Sequence, residues 1–278
     1  MNEQNYRELL AFATDVASQA GDLILDFRKR RLEKEWTSAR HFKTAADDAS
    51  DALMRHLIGE RFSGHNILSE EGSPHMQGSP FTWVLDGVDG TIGFATGINN
   101  HFSVCVGLCE NGVPVVGAVN AVGRGELYAA AKGVGAFLNG KPIRVSDCTE
   151  VNQVLMGIDS GKENKDSNIP YLVRLKASDG VSCAMMSGCA SVPMVLVASG
   201  AMQAYLATSL APEDMAAAVP IIREAGGKVT NLAGDEWILG DSSILAANLV
   251  LHGKLFEMVS AIPGRFLGSL AERKGGAK

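Results

Sequence analysis

The segment Trp83-Val84-Leu85-Asp86-Gly87-Val88-Asp89-Gly90-Thr91 constrains this chain more than any other. A short apolar strand runs into two aspartates three residues apart, then a glycine and a hydroxyl. Carboxylates this close repel unless a cation sits between them, and hard cations such as Mg²⁺ take oxygen ligands of this kind. Gly90 allows close backbone approach, and Thr91 is placed to open a helix whose free N–H groups face an anion. The segment therefore reads as a tight turn that holds a metal and a phosphate, where an isolated Asp pair would read as an Asx-type turn.

Two further acids join Asp86 and Asp89 where an isolated charge would be costly. Glu70 follows the apolar run Ile67-Leu68, and Asp214 opens the apolar stretch Met215–Ala225, where a helix dipole favours a carboxylate. Alone, Asp214 would be a plain helix-start acid and Glu70-Glu71 a solvated strand end. Successive strand side chains point to opposite faces, so one of Glu70 and Glu71 faces the site and the other orients a neighbour.

The remaining pattern predicts an α/β protein. Leu9, Ala13, Val16, Ala20, Leu23 and Phe27 recur at helical spacing over 6–31, with Arg28 to Arg31 as a solvated helix end. A second helix is expected over 45–60. Phe102–Leu108 and Val113–Ala121 flank Asn111-Gly112, a hairpin signal, and Gly125–Ala131 continues the meander. Gly133-Val134-Gly135 does not sit between a parallel strand and a helix, so it is a weak dinucleotide signal. Strands over 155–159, 203–207, 228–230 and 243–247 alternate with helices near 191–199 and 213–225, the latter started by Pro212, stopped by Gly226-Gly227 and kinked by Pro220. The polar stretch 160–182 places a boundary near residue 150, dividing residues 1–150, with most of the candidate ligands, from residues 151–278, with Asp214.

A net charge of −6 argues against a nucleic-acid binder, though not against a small phosphorylated substrate, because bound cations reverse the local sign. No run approaches the ~18 apolar residues that span a bilayer. The N-terminus is polar, and the five cysteines include no CxxC pair. The expectation is a reduced, cytoplasmic protein with buried, inert thiols. The six histidines show no ligand spacing and read as surface or capping residues.

These motifs, in this order, resemble the signatures of the inositol monophosphatase family of Mg²⁺-dependent, lithium-sensitive phosphatases. The segment at 84–91 resembles its Asp-Pro-(Ile/Leu)-Asp-Gly-Thr motif, and Thr44-Ala45-Ala46-Asp47 resembles its Thr-x-x-Asp. Glu70-Glu71, Phe102–Leu108, Gly133–Gly140, Asp214–Ala217 and Glu224–Gly227 also match in pattern. The resemblance implies a layered αβαβα sandwich and a homodimer. It implies that Glu70, Asp86, Asp89 and the Val88 carbonyl ligate Mg²⁺ and that Asp214 completes a second metal site. Gly90 and Thr91 amides would hold the phosphate, with Asp89 and Asp214 beside the substrate. Thr91 and Glu70 would position and activate a water, Asp47 would support Thr91, and Glu71 would belong to a weaker metal site.

The implied reaction is hydrolysis of a small phosphate monoester, with inositol monophosphate as first candidate. Histidinol phosphate, fructose 1,6-bisphosphate and 3′-phosphoadenosine 5′-phosphate share the chemistry. A catalytically weak metal- or phosphate-binding regulator is the reading of another class. Several departures bear on the choice. Gly87 replaces the family's proline, which adds unfolded-state freedom of about 0.4–1 kcal/mol and predicts a looser loop. Gly93 replaces Asn or Ser, as in some nucleotide phosphatases. Glu213 replaces a tryptophan and reads as a solvated helix start. Ala207 stands where inositol-specific members carry a substrate-binding glutamate. The family's lysine upstream of Thr44 has no clear counterpart, with Lys34 and Trp36 falling nearest.

Overall fold

A computed structural model describes residues 3–29, 32–38, 41–161 and 166–262. Arg30 and Arg31, and part of the polar stretch 160–182, lie outside the described residues.

Helix α1 (Glu3–Arg28) buries Tyr6, Leu9, Ala13, Val16, Ala17, Ala20 and Ile24, while Leu23 and Phe27 sit at the edge of the stripe. Arg28 is not simply solvated: its guanidinium lies 4.5 Å from the centre of the Phe102 ring. A hairpin that the sequence reading did not foresee, β1 (Glu35–Ser38) with β2 (His41–Lys43), leads to α2 (Ala45–Arg61). Next come β3 (Asn66–Ser69), β4 (Phe81–Asp89), the short α3 (Thr91–Thr96), β5 (Ser103–Glu110) and β6 (Val113–Ala121). Asn111 and Gly112 adopt φ of 51° and 79°, as a two-residue hairpin turn requires. The strands β7 (Glu126–Ala131), β8 (Gly135–Leu138) and β9 (Lys141–Pro142) complete a seven-stranded sheet in the order β3-β4-β5-β6-β7-β8-β9. Gly133 and Gly135 belong to the β7–β8 turn, and their N–H groups donate to the two oxygens of Glu224 at 3.0 Å.

The second sheet has the order β11-β10-β12-β14-β13. Its strands are β10 (Leu155–Ser160), β11 (Cys183–Met185), β12 (Ala204–Thr208), β13 (Gly227–Thr230) and β14 (Ile244–Asn248). Four helices accompany it: α4 (Ile169–Leu175), α5 (Ser191–Ala198), α6 (Ala218–Glu224) and α7 (Leu249–Ser260). Of these, α4 and α7 lay outside the sequence expectations.

Three apolar clusters stack these elements into five layers. The first joins α1 and α2 to one face of the seven-stranded sheet through Trp83, Leu85, Val104 and Val106. The second fills the space between the sheets with α5 and α6, which meet Val84, Cys105 and Val119 on one side and Tyr205, Ala207 and Ile244 on the other. The third places α4 and α7 over the far face of the second sheet. The expected αβαβα sandwich is therefore the fold observed.

The helix expected over 213–225 is interrupted. Residues Pro212–Asp214 form a 3₁₀ turn, and α6 begins only at Ala218. Pro220 lies in the first turn of α6, where the N–H it lacks has no partner within the helix, so it marks a start and makes no kink. Close packing fixes this segment on the sheet: a Cβ at Gly117 would lie 1.9 Å from the Ala217 carbonyl oxygen, and one at its register partner Gly107 would lie 3.0 Å from the Ala217 nitrogen. The glycine pair thus sets how near the Asp214 turn comes to β4.

Candidate active site

Asp86 and Asp89 lie within β4, not on a turn. In a regular strand, residues three apart point to opposite faces. Here Asp86 pairs with Cys105 and Asp89 with Ser103, so β4 has one residue more than its partner between the two pairs. This β-bulge carries both aspartates to the same face. Val88 accordingly packs in the outer cluster with Leu85, although it would share the face of Asp86 in an unbroken strand.

The bulge rests on α2. A Cβ at Gly87 would lie 2.8 Å from the Asp47 carbonyl oxygen and 3.2 Å from both Asp51 N and Ser50 Cβ. The expectation of a looser loop is therefore reversed: Gly87 is buried, and its missing side chain admits the first turn of α2. That turn is held by a capping box, in which Asp47 Oδ2 accepts from the Thr44 N–H at 2.8 Å and the Thr44 hydroxyl at 2.7 Å. Its other oxygen is 3.0 Å from the Thr91 hydroxyl, which also lies 3.1 Å from the Val88 carbonyl oxygen. Burial pushes the Asp47 carboxyl above its ordinary range, against the pull of its bonds to Thr44 and Thr91.

Asp89 reaches across to the second half of the chain. Its carboxylate accepts from the Ser191 N–H at 2.7 Å, the Ser191 hydroxyl at 2.5 Å, the Ala190 N–H at 3.1 Å and the Cys189 thiol at 3.1 Å. Asp86 Oδ1 accepts from the Val88 N–H at 2.9 Å, and Asp214 Oδ2 accepts from the Ala211 N–H at 3.0 Å, closing the 3₁₀ turn. One carboxylate oxygen from each of Asp86, Asp89 and Asp214 lies within 4.8 Å of the others.

These three line a cleft of about 400 Å³ together with Glu70, the Val88 segment, Gly90, Thr91, Asp159 and Leu210. Glu70, Asp86, Val88, Asp89 and Asp214, named as ligands from sequence, converge there, whereas Glu71 does not, and Asp47 stands behind Thr91. Strand β3 ends at Ser69, so Glu70 and Glu71 follow it. Glu70 enters the cleft, while Glu71 lies 3.4 Å from the Lys43 ammonium. Lys43 also pairs with Asp48 at 2.7 Å, and that bond first, with Glu71 adding to it, holds its ammonium charged.

Other expectations fail here. Glu213 is only 9 % exposed, so it is no solvated helix start. His41 lines the mouth of the cleft. His65 accepts a hydrogen bond from the Trp83 indole at 3.1 Å. His252 is buried against the Thr230 hydroxyl, and burial drives its pKa down to about 4. Lone histidines carry no spacing signal, so only the packing separates these three from surface ones. Asp159, buried in the cleft wall, was also missed, since a single acid at a strand end has no motif. The inert-thiol reading holds for Cys105, Cys109 and Cys189, all buried, whereas Cys148 is part-exposed and Cys183 exposed.

The donor set is carboxylate and carbonyl oxygen, which fits a hard divalent cation and no soft one. Five carboxylates line the cleft, and a phosphate enters such a site only when cations neutralise it.

The sequence profile of the inositol monophosphatase family matches residues 5–263. The chain belongs to that family. An inositol-1-monophosphatase of Synechocystis is 33% identical over 95% of this chain and 93% of its own length. A histidinol-phosphatase of Chlorobaculum parvum is 31% identical, covering 90% and 96%. The solved inositol monophosphatase of Anabaena superposes with a TM-score of 0.82 at 30% identity, over 93% of this chain and 98% of that one. As a member of the inositol monophosphatase family, the protein is a metal-dependent phosphatase of small phosphorylated metabolites. Among the described residues, no helix is long and apolar enough to cross a membrane.

Proposed function

We propose that this phosphatase hydrolyses the phosphate monoester of a small polyol, with inositol monophosphate the first substrate to test and Mg²⁺ the working cation. The observation that carries the reading is the convergence of Asp86, Asp89 and Asp214 within 4.8 Å on the floor of an acidic cleft. Glu70, Asp86, Asp89, Asp214 and the Val88 carbonyl would hold the cations. When bound, the cations neutralise the phosphate and lower the pKa of water.

The protein's own part is positioning, since phosphoryl transfer asks little covalent work of it. Asp47 takes the Thr91 hydroxyl proton into a hydrogen bond, which turns the Thr91 oxygen lone pairs towards the cleft. A water donating to that oxygen, with Glu70 as the second acceptor, is aimed in line at phosphorus. The Gly90 and Thr91 amides hold the phosphate oxygens. Asp89 is held in place by the N–H groups of residues 190 and 191. Homodimerisation, inhibition by Li⁺ and a cytoplasmic location belong to the same proposal.

The test is phosphate release from inositol 1-phosphate with and without Mg²⁺, in wild-type protein and Asp89→Asn. Loss of at least about a hundredfold in the variant, with the fold intact by circular dichroism, is expected if the carboxylate holds a cation. Equal turnover in both proteins overturns the ligand assignment.

A further inference from the structure

We propose that Asp159 is the specificity-determining residue of this phosphatase, accepting a hydrogen bond from an O–H or N–H donor on the substrate's leaving group. The proposal rests on the metal-dependent phosphatase reading above and adds to it the part of the substrate that is not phosphate.

Asp159 stands on β10, on the face turned to the space between the sheets, as its register shows. It pairs in parallel with Ala207 of β12, and partners in register on parallel strands present their side chains to one face. Ala207 belongs to the core cluster between the sheets, whereas Met156 and Ile158, the alternate positions of β10, belong to the outer one. The Asp159 side chain therefore faces the same space as the cation-binding aspartates and lines the same cleft. It is not one of the three clustered ligands. Its proximity to Asp89 is felt electrostatically.

Burying a carboxylate is costly unless it is well hydrogen-bonded. Asp159 is 7 % exposed, yet among the described residues its hydrogen-bond partners are the Tyr205 hydroxyl, at 3.2 Å, and the Gly188 backbone. A carboxylate has about four acceptor positions, so half of its capacity is left on the side that opens to the cleft. The opposing Ala207 fills little of that space with its methyl group. Ile92 and Met186, about half exposed, give the rest of the mouth an apolar wall. A leaving group lodged there lies beside the Asp159 carboxylate. Ala207 is also the position where the family resemblance leads one to expect a carboxylate, so the acid has moved one strand across within the same wall.

Two leaving-group chemistries meet this demand: the hydroxyls of a polyol and the ammonium of an amino alcohol. The experiment measures kcat and KM for inositol 1-phosphate, histidinol phosphate and p-nitrophenyl phosphate, whose leaving group has no donor. Wild type, Asp159→Ala and the isosteric Asp159→Asn are compared, with thermal melts as a check on folding. The loss of one charge-assisted hydrogen bond predicts a KM higher by roughly tenfold to a hundredfold for the donor-bearing esters in Asp159→Ala. The p-nitrophenyl ester should stay within about twofold. If the donor is an ammonium, Asp159→Asn loses as much as Asp159→Ala; if it is a hydroxyl, Asp159→Asn keeps most of the affinity. A loss shared equally by all three esters overturns the assignment and makes Asp159 a general support of the site. Unchanged kinetics for all three overturns it as well. Wild-type protein that releases phosphate from none of them overturns the phosphatase reading, and the Asp159 assignment with it.

Discussion

Replacing Gly87 with alanine tests how the site is held together. The added Cβ would stand 2.8 Å from the Asp47 carbonyl oxygen and 3.2 Å from Ser50 Cβ and Asp51 N, mostly backbone atoms that cannot swing aside. Overpacking of this kind costs roughly 1–3 kcal/mol. Restriction of the unfolded chain returns about 0.4–1 kcal/mol. The net is a destabilisation of about 0–2.6 kcal/mol, which at roughly 2–4 °C per kcal/mol lowers Tm by up to about 10 °C. The larger effect falls on turnover. To relieve the clash, α2 must retreat from β4, and it carries Asp47 away from the Thr91 hydroxyl, now 3.0 Å distant. Misplacement of about 1 Å in such a constellation costs on the order of a hundredfold in rate. The assay pairs thermal unfolding with Mg²⁺-dependent phosphate release. The control is Gly59→Ala in the same helix, where a Cβ meets nothing within 4 Å. That variant should be stabilised by about 0.5–1 kcal/mol and keep full activity. A Gly87→Ala protein with unchanged Tm and unchanged kcat refutes the close-approach argument.

Three further outcomes are expected. Thr91→Val and Asp47→Ala should each lower kcat strongly, and the double variant should be little worse than either, because the two act through one hydrogen bond; additive losses measured in the cycle would separate their roles. His252 has a folded pKa of about 4, below its unfolded value near 6.5, so its contribution is complete above pH 6.5 and is lost as pH falls towards 4. A chemical-denaturation series should show roughly 3 kcal/mol of pH-dependent stability in that window that His252→Gln lacks, and parallel profiles would refute it. Mg²⁺ at about 100 times its Kd should stabilise the chain by about 2.7 kcal/mol over the EDTA-treated protein, and Asp214→Asn should diminish that gain, as read from melts.

The acids of the site were legible in the sequence because each borders an apolar run, and all of Glu70, Asp86, Asp89, Thr91 and Asp214 meet in one cleft. What the spacing misstated was local geometry. Asp86 and Asp89 look like a turn because residues three apart cannot share a face of a regular strand, and only pairing with β5 shows the bulge. Gly87 read as slack because propensity counts the unfolded chain; its use comes from a helix forty residues upstream. Glu213 read as exposed because an acid at a helix start usually is, yet it is buried in the 3₁₀ turn. Asp159 and His41 were invisible because no local pattern marks a residue whose neighbours lie on other strands.

The hydrogen bonds from Ser191 to Asp89 join residues 102 apart in sequence. On a ribosome adding roughly 5–20 residues per second, the acid is made about 5–20 s before the backbone amide that donates to it. In the folded protein α5 and α6 cover a face of the seven-stranded sheet with Val84, Cys105 and Val119 on it, and a chain that stops before residue 191 lacks both helices. A message that breaks before residue 191 therefore yields a product with both a sticky surface and an unshielded charge.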